Sequence, residues 1–200
     1  MSDIQIKTNN DLQCNIAFIN NANFSLESGE ILKSLKIAFK TFGKLNSKKT
    51  NAILVCHALT GDQYVAGSNP ITGRDGWWSR MVGPDKPIDT NKFYVICSNV
   101  IGSCAGSTGP KEINEENNKV YGGEFPSVTI KDIVKAQSLL IEALDISKLF
   151  SVVGGSMGAM QALQWSIDFP EKISNIIHIA GALKHSAQNI AFHEVGRQAI

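Results

Sequence analysis

No apolar run in this chain approaches the roughly 18 consecutive residues that a membrane span requires. The longest, Ile53 to Val55, Phe93 to Cys97 and Ile176 to Ile179 around His178, are a few residues each, so no segment is expected to cross a bilayer. An excess of charge of one sign is lacking too: 19 Lys and Arg stand against 18 Asp and Glu, a formal net charge of +1. Without a global field, nucleic acid and anionic membranes drop out as expected partners. Met1 to Asn10 has neither the basic nor the apolar stretch of a secretory signal, and the expected compartment is the cytoplasm. Cysteine is scarce, at 4 residues. Cys56 and Cys97 sit in apolar runs, while Cys14 and Cys104 lie far apart in sequence. No disulfide framework or C-x-x-C metal or redox site can be drawn, and buried free thiols are expected. Internal repeats, low-complexity tracts and dividing linkers are absent as well.

What is present is ample core material, 43% hydrophobic residues against 18% charged in 200 residues, enough for one folded unit. Phe24 to Phe42 alternates in two stretches around Ser28-Gly29-Glu30, with Leu35, Ile37 and Phe39 on one face, which predicts an N-terminal β-hairpin. Ala52 to Cys56 is continuously apolar, as are strands buried on both faces of a parallel sheet; Phe93 to Cys97, Leu149 to Val153 and Ile173 to Ile179 repeat the type. Ile130, Ile133, Val134, Gln137, Leu140, Ile141 and Leu144 keep helical spacing behind a capping-box start at Thr129 and Asp132. A second helix is predicted from Met157 to about Phe169, ended by Pro170, and a third from about Ser186 onward. Strands alternating with helices predict an α/β fold with a mostly parallel sheet and helices on both faces. The connection Ile101 to Ser127 far exceeds the roughly 2 to 6 residues a crossover loop needs, and long loops of this kind are usually functional.

Gly154-Gly155-Ser156-Met157-Gly158 satisfies G-x-S-x-G. The bare pattern is common, but here it directly follows an apolar strand and opens a helix, the setting of a nucleophile elbow. Glycines two before and two after Ser156 remove side chains that would collide in so sharp a turn. The hydroxyl then stands at a helix N-terminus, in its partial positive charge. The alternative is a Gly-rich turn that only packs or binds phosphate, although neither G-x-G-x-x-G nor G-x-x-x-x-G-K-[ST] occurs. An attacking serine needs donors for the oxyanion. The residue after the nucleophile, Met157, supplies one backbone N–H, and the second comes from a loop after an earlier strand, where His57-Ala58-Leu59-Thr60-Gly61-Asp62 stands. That segment reads equally as an ordinary β-to-α turn capped by Thr or Asp. His193-Glu194 begins an H-E-x-x-H pattern that Arg197 breaks, so no metal site is expected.

Taken together, Asn51 to Gly67, Gly76-Trp77-Trp78, Asn91 to Gly109, Tyr121-Gly122-Gly123 with Phe125-Pro126, Val153 to Gln161 and Ser186 to Phe192 closely resemble the homoserine O-acyltransferases of the α/β-hydrolase superfamily, over about Phe24 to Ile200. Ala105, Ala159 and His193 depart from the residues usual there. The resemblance implies transfer of an acyl group from acetyl-CoA, as co-substrate, through a Ser156 acyl-enzyme to the hydroxyl of L-homoserine, in methionine biosynthesis, with no cofactor. By the same carry-over, Leu59 and Met157 give the oxyanion-hole N–H groups, Leu59, Thr60, Gly61 and Asp62 border the amino-acid pocket, Gly154 and Gly158 are the elbow glycines, and the whole enzyme is a homodimer. Succinyl-CoA as donor, serine as acceptor, a plain serine esterase or thioesterase, and a catalytically silent binding protein of the same fold are the alternatives. The Ile101 to Ser127 loop and Trp77-Trp78 are expected to line or flank the acyl-CoA entrance.

In this fold the triad acid and then the histidine follow the nucleophile. After Ser156 come only Asp168, Glu171 and Glu194 as acids, with His178, His185 and His193. Asp168 lies roughly 18 Å along the helix that Ser156 opens. The expectation is therefore that residues 1–200 are the N-terminal portion of one α/β-hydrolase domain, its sheet incomplete at the C-terminus. The triad Asp and His would lie outside it, and residues 186–200 would begin the cover over the site.

Overall fold

Three of the four apolar runs become inner strands of a seven-stranded sheet, and the fourth, Ile173 to Ile179, supplies an edge strand. The computed structural model describes residues 3–20, 22–115 and 117–200. The strands are β1 (Asp3–Asn9), β2 (Cys14–Asn20), β3 (Leu35–Phe42), β4 (Ala52–Cys56), β5 (Tyr94–Ser98), β6 (Ser151–Gly155) and β7 (Ile176–Ile179). Their spatial order is β1-β2-β3-β5-β4-β6-β7. β5, β4, β6 and β7 run parallel, and β1, β2 and β3 extend that unit antiparallel. The helices are α1 (Ile130–Ala143), α2 (Met157–Asp168) and α3 (Ala187–Gln198). Thr129 and Asp132 close a reciprocal capping box at the start of α1, and Ser186 caps α3, as their spacing predicts.

The N-terminal hairpin differs from the expected one. Phe24–Ser25 and Ile31–Leu32 pair in a short hairpin around Gly29, but Leu35–Phe42 pairs with β2 on one side and β5 on the other. The long hairpin is β1–β2. β1 carries little alternation because Gln5, Ile6, Lys7 and Thr8 are all exposed.

Alternate residues of β4 feed two cores. Leu54 and Cys56 pack with Ile133, Leu140, Ala162 and Trp165 from α1 and α2, while Ile53 and Val55 pack with Val65, Val82 and Ile88. Alternation of strands and helices predicts helices on both faces. α1 and α2 pack together on one face of the sheet, and the irregular 64–90 segment packs on the other. Pro70, Gly73, Gly76, Pro84 and Pro87 in that segment break helical continuity. The register then places the site, because Gly154 of β6 lies opposite Cys56 of β4 and Gly155 opposite Ile179 of β7. The turns leaving β4 and β6 therefore emerge side by side at one edge of the sheet.

Candidate active site

Ser156 occupies the turn between β6 and α2 with φ 56° and ψ −122°, a left-handed backbone that costs a side-chain-bearing residue roughly 1–3 kcal/mol. Neighbouring bonds hold the conformation. The Ser156 N–H donates to Ile179 O at 3.0 Å, and Ser156 O accepts from the N–H groups of Ala159 at 2.9 Å and Met160 at 3.2 Å. Both elbow glycines are demanded by close approach: a Cβ on Gly154 would lie 2.1 Å from Gly158 O, and one on Gly158 would lie 2.1 Å from Cys56 O. Gly155 has no such constraint, its nearest neighbour being Ile179 O at 3.9 Å. Ser156 is exposed and its hydroxyl does not cap the helix, so Oγ is presented outward. Met157 is the first residue of α2, a position whose N–H has no intrahelical acceptor.

The turn after β4 stands next to this elbow. Gly61 N–H donates to Ala58 O at 2.9 Å, which tightens the turn and leaves Leu59 at its tip, 72% exposed. Leu59 and Met157 line one groove of about 430 Å³ with Ile101, Cys104, Phe125 and Val128. The structure thus brings together both expected oxyanion donors and the long Ile101 to Ser127 loop. Thr60, Gly61 and Asp62 lie outside that lining. Thr60 is exposed, whereas Asp62 turns inward: Oδ1 accepts from Tyr64 N–H at 2.8 Å and Oδ2 from Asn69 Nδ2 at 2.9 Å. The Asp62 carbonyl accepts the Trp77 indole N–H at 2.9 Å. Trp77 and Trp78, stacked at 5.7 Å, therefore brace the Asp62 corner and do not line the groove.

Beneath the turn, His57 is buried. Val100 N–H donates to its Nε2 at 3.1 Å, and Nδ1 lies 2.7 Å from Ala58 O. A backbone N–H must meet an unprotonated nitrogen, so the proton sits on Nδ1 and donates to Ala58 O. Burial pushes the pKa below its ordinary 6.5, against the opposing pull of Ala58 O and Asp62. In the sequence His57 reads only as the first residue of the turn; a histidine directly after a buried strand is the available signal. The buried thiols of Cys14, Cys56 and Cys97 agree with expectation, with burial pushing Cys56 up to about 12. Cys104 departs from it, because its Gly- and Ser-rich loop lies open to solvent along the groove.

Among the described residues no acid or histidine hydrogen-bonds to Ser156 Oγ. Asp168 ends α2, Glu171 follows it, and His178 is exposed on β7. His185, just before α3, stacks on His193 within it at 5.0 Å, and Glu194 pairs with Arg197 of the last turn at 3.4 Å. No cluster of three or more His, Cys, Asp or Glu suited to a metal occurs among the described residues.

The family model described as "alpha/beta hydrolase fold" matches residues 51–195. The chain belongs to this family. Within the alpha/beta hydrolase fold, the homoserine O-acetyltransferase of Rhodospirillum rubrum is 58% identical over 175 residues, which is 88% of this chain and 45% of that enzyme. The chain thus spans about half the length of the curated relatives it matches. Among solved structures, esterase E22 superposes with a TM-score of 0.81 at 35% identity, covering 90% of this chain and 51% of that one. The homoserine O-acetyltransferase from Bacillus anthracis superposes at 0.78 with 27% identity, covering 94% and 49%. This alpha/beta hydrolase chain contains no described helix long and apolar enough to cross a membrane.

Proposed function

We propose that the chain carries the nucleophile and oxyanion hole of a homoserine O-acetyltransferase. One observation carries the reading: an exposed, left-handed Ser156 opens α2 at Met157, and Met157 lines one groove together with Leu59 from the turn after β4. Ser156 Oγ attacks the acetyl-CoA carbonyl, forming a C–O bond while its proton passes to a base, and the oxyanion sits between the two donors. The C–S bond then breaks, and CoA takes the proton from the base and leaves as the thiol. The hydroxyl of L-homoserine attacks the acyl-enzyme at the same oxyanion site, its proton goes to the base, and as the acyl C–Oγ bond breaks the base returns the proton to Ser156. The 58% identity to an enzyme named for that reaction supports homoserine as acceptor and acetyl-CoA over succinyl-CoA as donor.

The reading includes several further parts. Leu59 to Asp62 borders the amino-acid pocket, with Asp62 acting by holding the loop. The triad acid and histidine lie outside these 200 residues, which form part of a single hydrolase domain, and residues 186–200 begin the cover that keeps water from the acyl-enzyme. The working enzyme is a cytoplasmic homodimer without a metal or bound cofactor, and it takes no nucleic acid or membrane partner.

The likeness to esterase E22 favours one second reading, hydrolysis of an acyl ester. In the polypeptide encoded by the whole reading frame, radiolabelled acetyl-CoA is expected to acylate Ser156, and Ser156→Ala to abolish the label. Discharge of trapped acyl-enzyme faster by homoserine than by water supports transfer. Discharge by water alone makes the protein an esterase.

A further inference from the structure

Behind the elbow lies a buried chain of three hydrogen-bonded side chains that the proposed chemistry does not use directly. The Trp165 indole Nε1–H donates to Gln137 Oε1 at 2.9 Å, Gln137 Nε2 donates to Gln161 Oε1 at 2.8 Å, and Gln161 Nε2 donates to His57 O at 3.1 Å and Met157 O at 3.3 Å. Trp165 and Gln161 have no exposure and Gln137 almost none. The direction of every bond follows from one end. An indole N–H only donates, so Gln137 must turn its oxygen to Trp165 and its NH2 to Gln161. Gln161 must then turn its oxygen back and aim its own NH2 forward. Neither amide can flip without setting two donors or two acceptors against each other in a buried site.

The two carbonyls that Gln161 reaches belong to different elements. His57 O opens the turn that carries Leu59, and Met157 O lies in the first turn of α2. The oxyanion donors sit on those same two pieces of backbone. The geometry points to Gln161 as the positioning residue of the oxyanion hole, fixing the separation of the Leu59 and Met157 N–H groups by holding both of their segments through one amide. This rests on the acyl-transfer reading above. A displacement of about 1 Å in such donors is enough to lower the rate substantially.

The test uses Gln161→Met, which keeps side-chain length and removes the amide, in the polypeptide encoded by the whole reading frame. Ile19→Val, a core truncation on β2 remote from the site, serves as the stability control. Gln161→Met is expected to lower the single-turnover rate of Ser156 acylation roughly tenfold or more, with KM for acetyl-CoA within about twofold. Ile19→Val is expected to lower the melting temperature while leaving the rate within about twofold. Amide exchange gives a readout independent of activity: the Gly61 N–H, bonded to Ala58 O at 2.9 Å, should exchange faster in Gln161→Met than in the control. If Gln161→Met does not fold, Gln161→Glu keeps the length and, when protonated, one donor, and should show a smaller loss in the same direction. An acylation rate unchanged in the Gln161 variant, or Gly61 exchange no faster than in the control, overturns the positioning role. If the unmutated protein is not acylated, the acyl-transfer reading fails separately, and Gly61 exchange alone decides whether Gln161 holds the turn.

Discussion

Three glycines in five residues look equivalent in Gly154-Gly155-Ser156-Met157-Gly158, but their surroundings separate them. A methyl on Gly158 would sit 2.1 Å from Cys56 O, whereas one on Gly155 meets nothing nearer than 3.9 Å. Gly158→Ala must push α2 away from the end of β4, and is expected to destabilise by about 2 kcal/mol or more and to abolish labelling of Ser156. Gly155→Ala should stay within about 1 kcal/mol, read as the shift in urea midpoint. His57 provides a second residue-level prediction. Protonation would place a hydrogen on Nε2 against the Val100 N–H, and the folded pKa lies below the unfolded 6.5. Below that pH the unfolded chain binds the extra proton, so the contribution of His57 is complete above pH 6.5 and is lost as pH falls toward the depressed folded value. For one proton the slope is at most about 1.4 kcal/mol per pH unit. His57→Gln, which can still accept from Val100 and donate to Ala58, should flatten that part of the stability profile below pH 6.5.

At the level of elements, the loop after β5 is the part of the site that chemistry can reach from outside. Cys104 is exposed on the groove while Cys14, Cys56 and Cys97 are buried. Iodoacetamide is therefore expected to modify Cys104 alone in the native protein, the others reacting only after unfolding, as peptide mapping would read. Modification should also slow acylation of Ser156 by narrowing the groove, and Cys104→Ser should be insensitive to the reagent. How much of this was legible in the sequence depended on periodicity. The uninterrupted apolar runs, the capping box at Thr129 and the elbow at Ser156 all announced themselves, because each rests on local spacing. β1 did not, since a strand with Gln5, Ile6, Lys7 and Thr8 all exposed has no apolar face to reveal it. Gln137 and Gln161 were hidden for the opposite reason. They occupy inward positions of α1 and α2 that read as helix interior, and apart from Met157 their hydrogen-bond partners are 24 to 104 residues away in sequence. The shared face of α1 and α2 was equally out of reach, because it depends on what the 64–90 segment covers.

Across the whole molecule, the apolar surface is uneven. The sheet interior is closed on both faces, yet Ile177 and Ile179 on β7 are 49% and 42% exposed, and among the described residues β7 pairs only with β6. α3 buries none of its residues, with Phe192 and Val195 each 68% exposed. An open parallel edge and a helix with exposed apolar side chains are both surfaces that associate unless they are covered. β7 and α3 both follow Ser156 in the chain, where a triad acid and histidine would have to stand, and no described side chain there reaches Oγ. The isolated 200-residue chain should therefore have its nucleophile and oxyanion donors in place and lack the base. Ser156 should be acylated slowly and once, since without a base both attack and discharge depend on the oxyanion hole alone. Turnover with acetyl-CoA and homoserine is expected to be lower than that of a complete triad enzyme by roughly 10⁴-fold or more. Mass spectrometry of the trapped chain and a CoA-release assay at neutral pH measure the two quantities. Several turnovers per minute would show that a histidine within residues 1–200 reaches Ser156 after all, with His178 on the neighbouring strand the first to mutate.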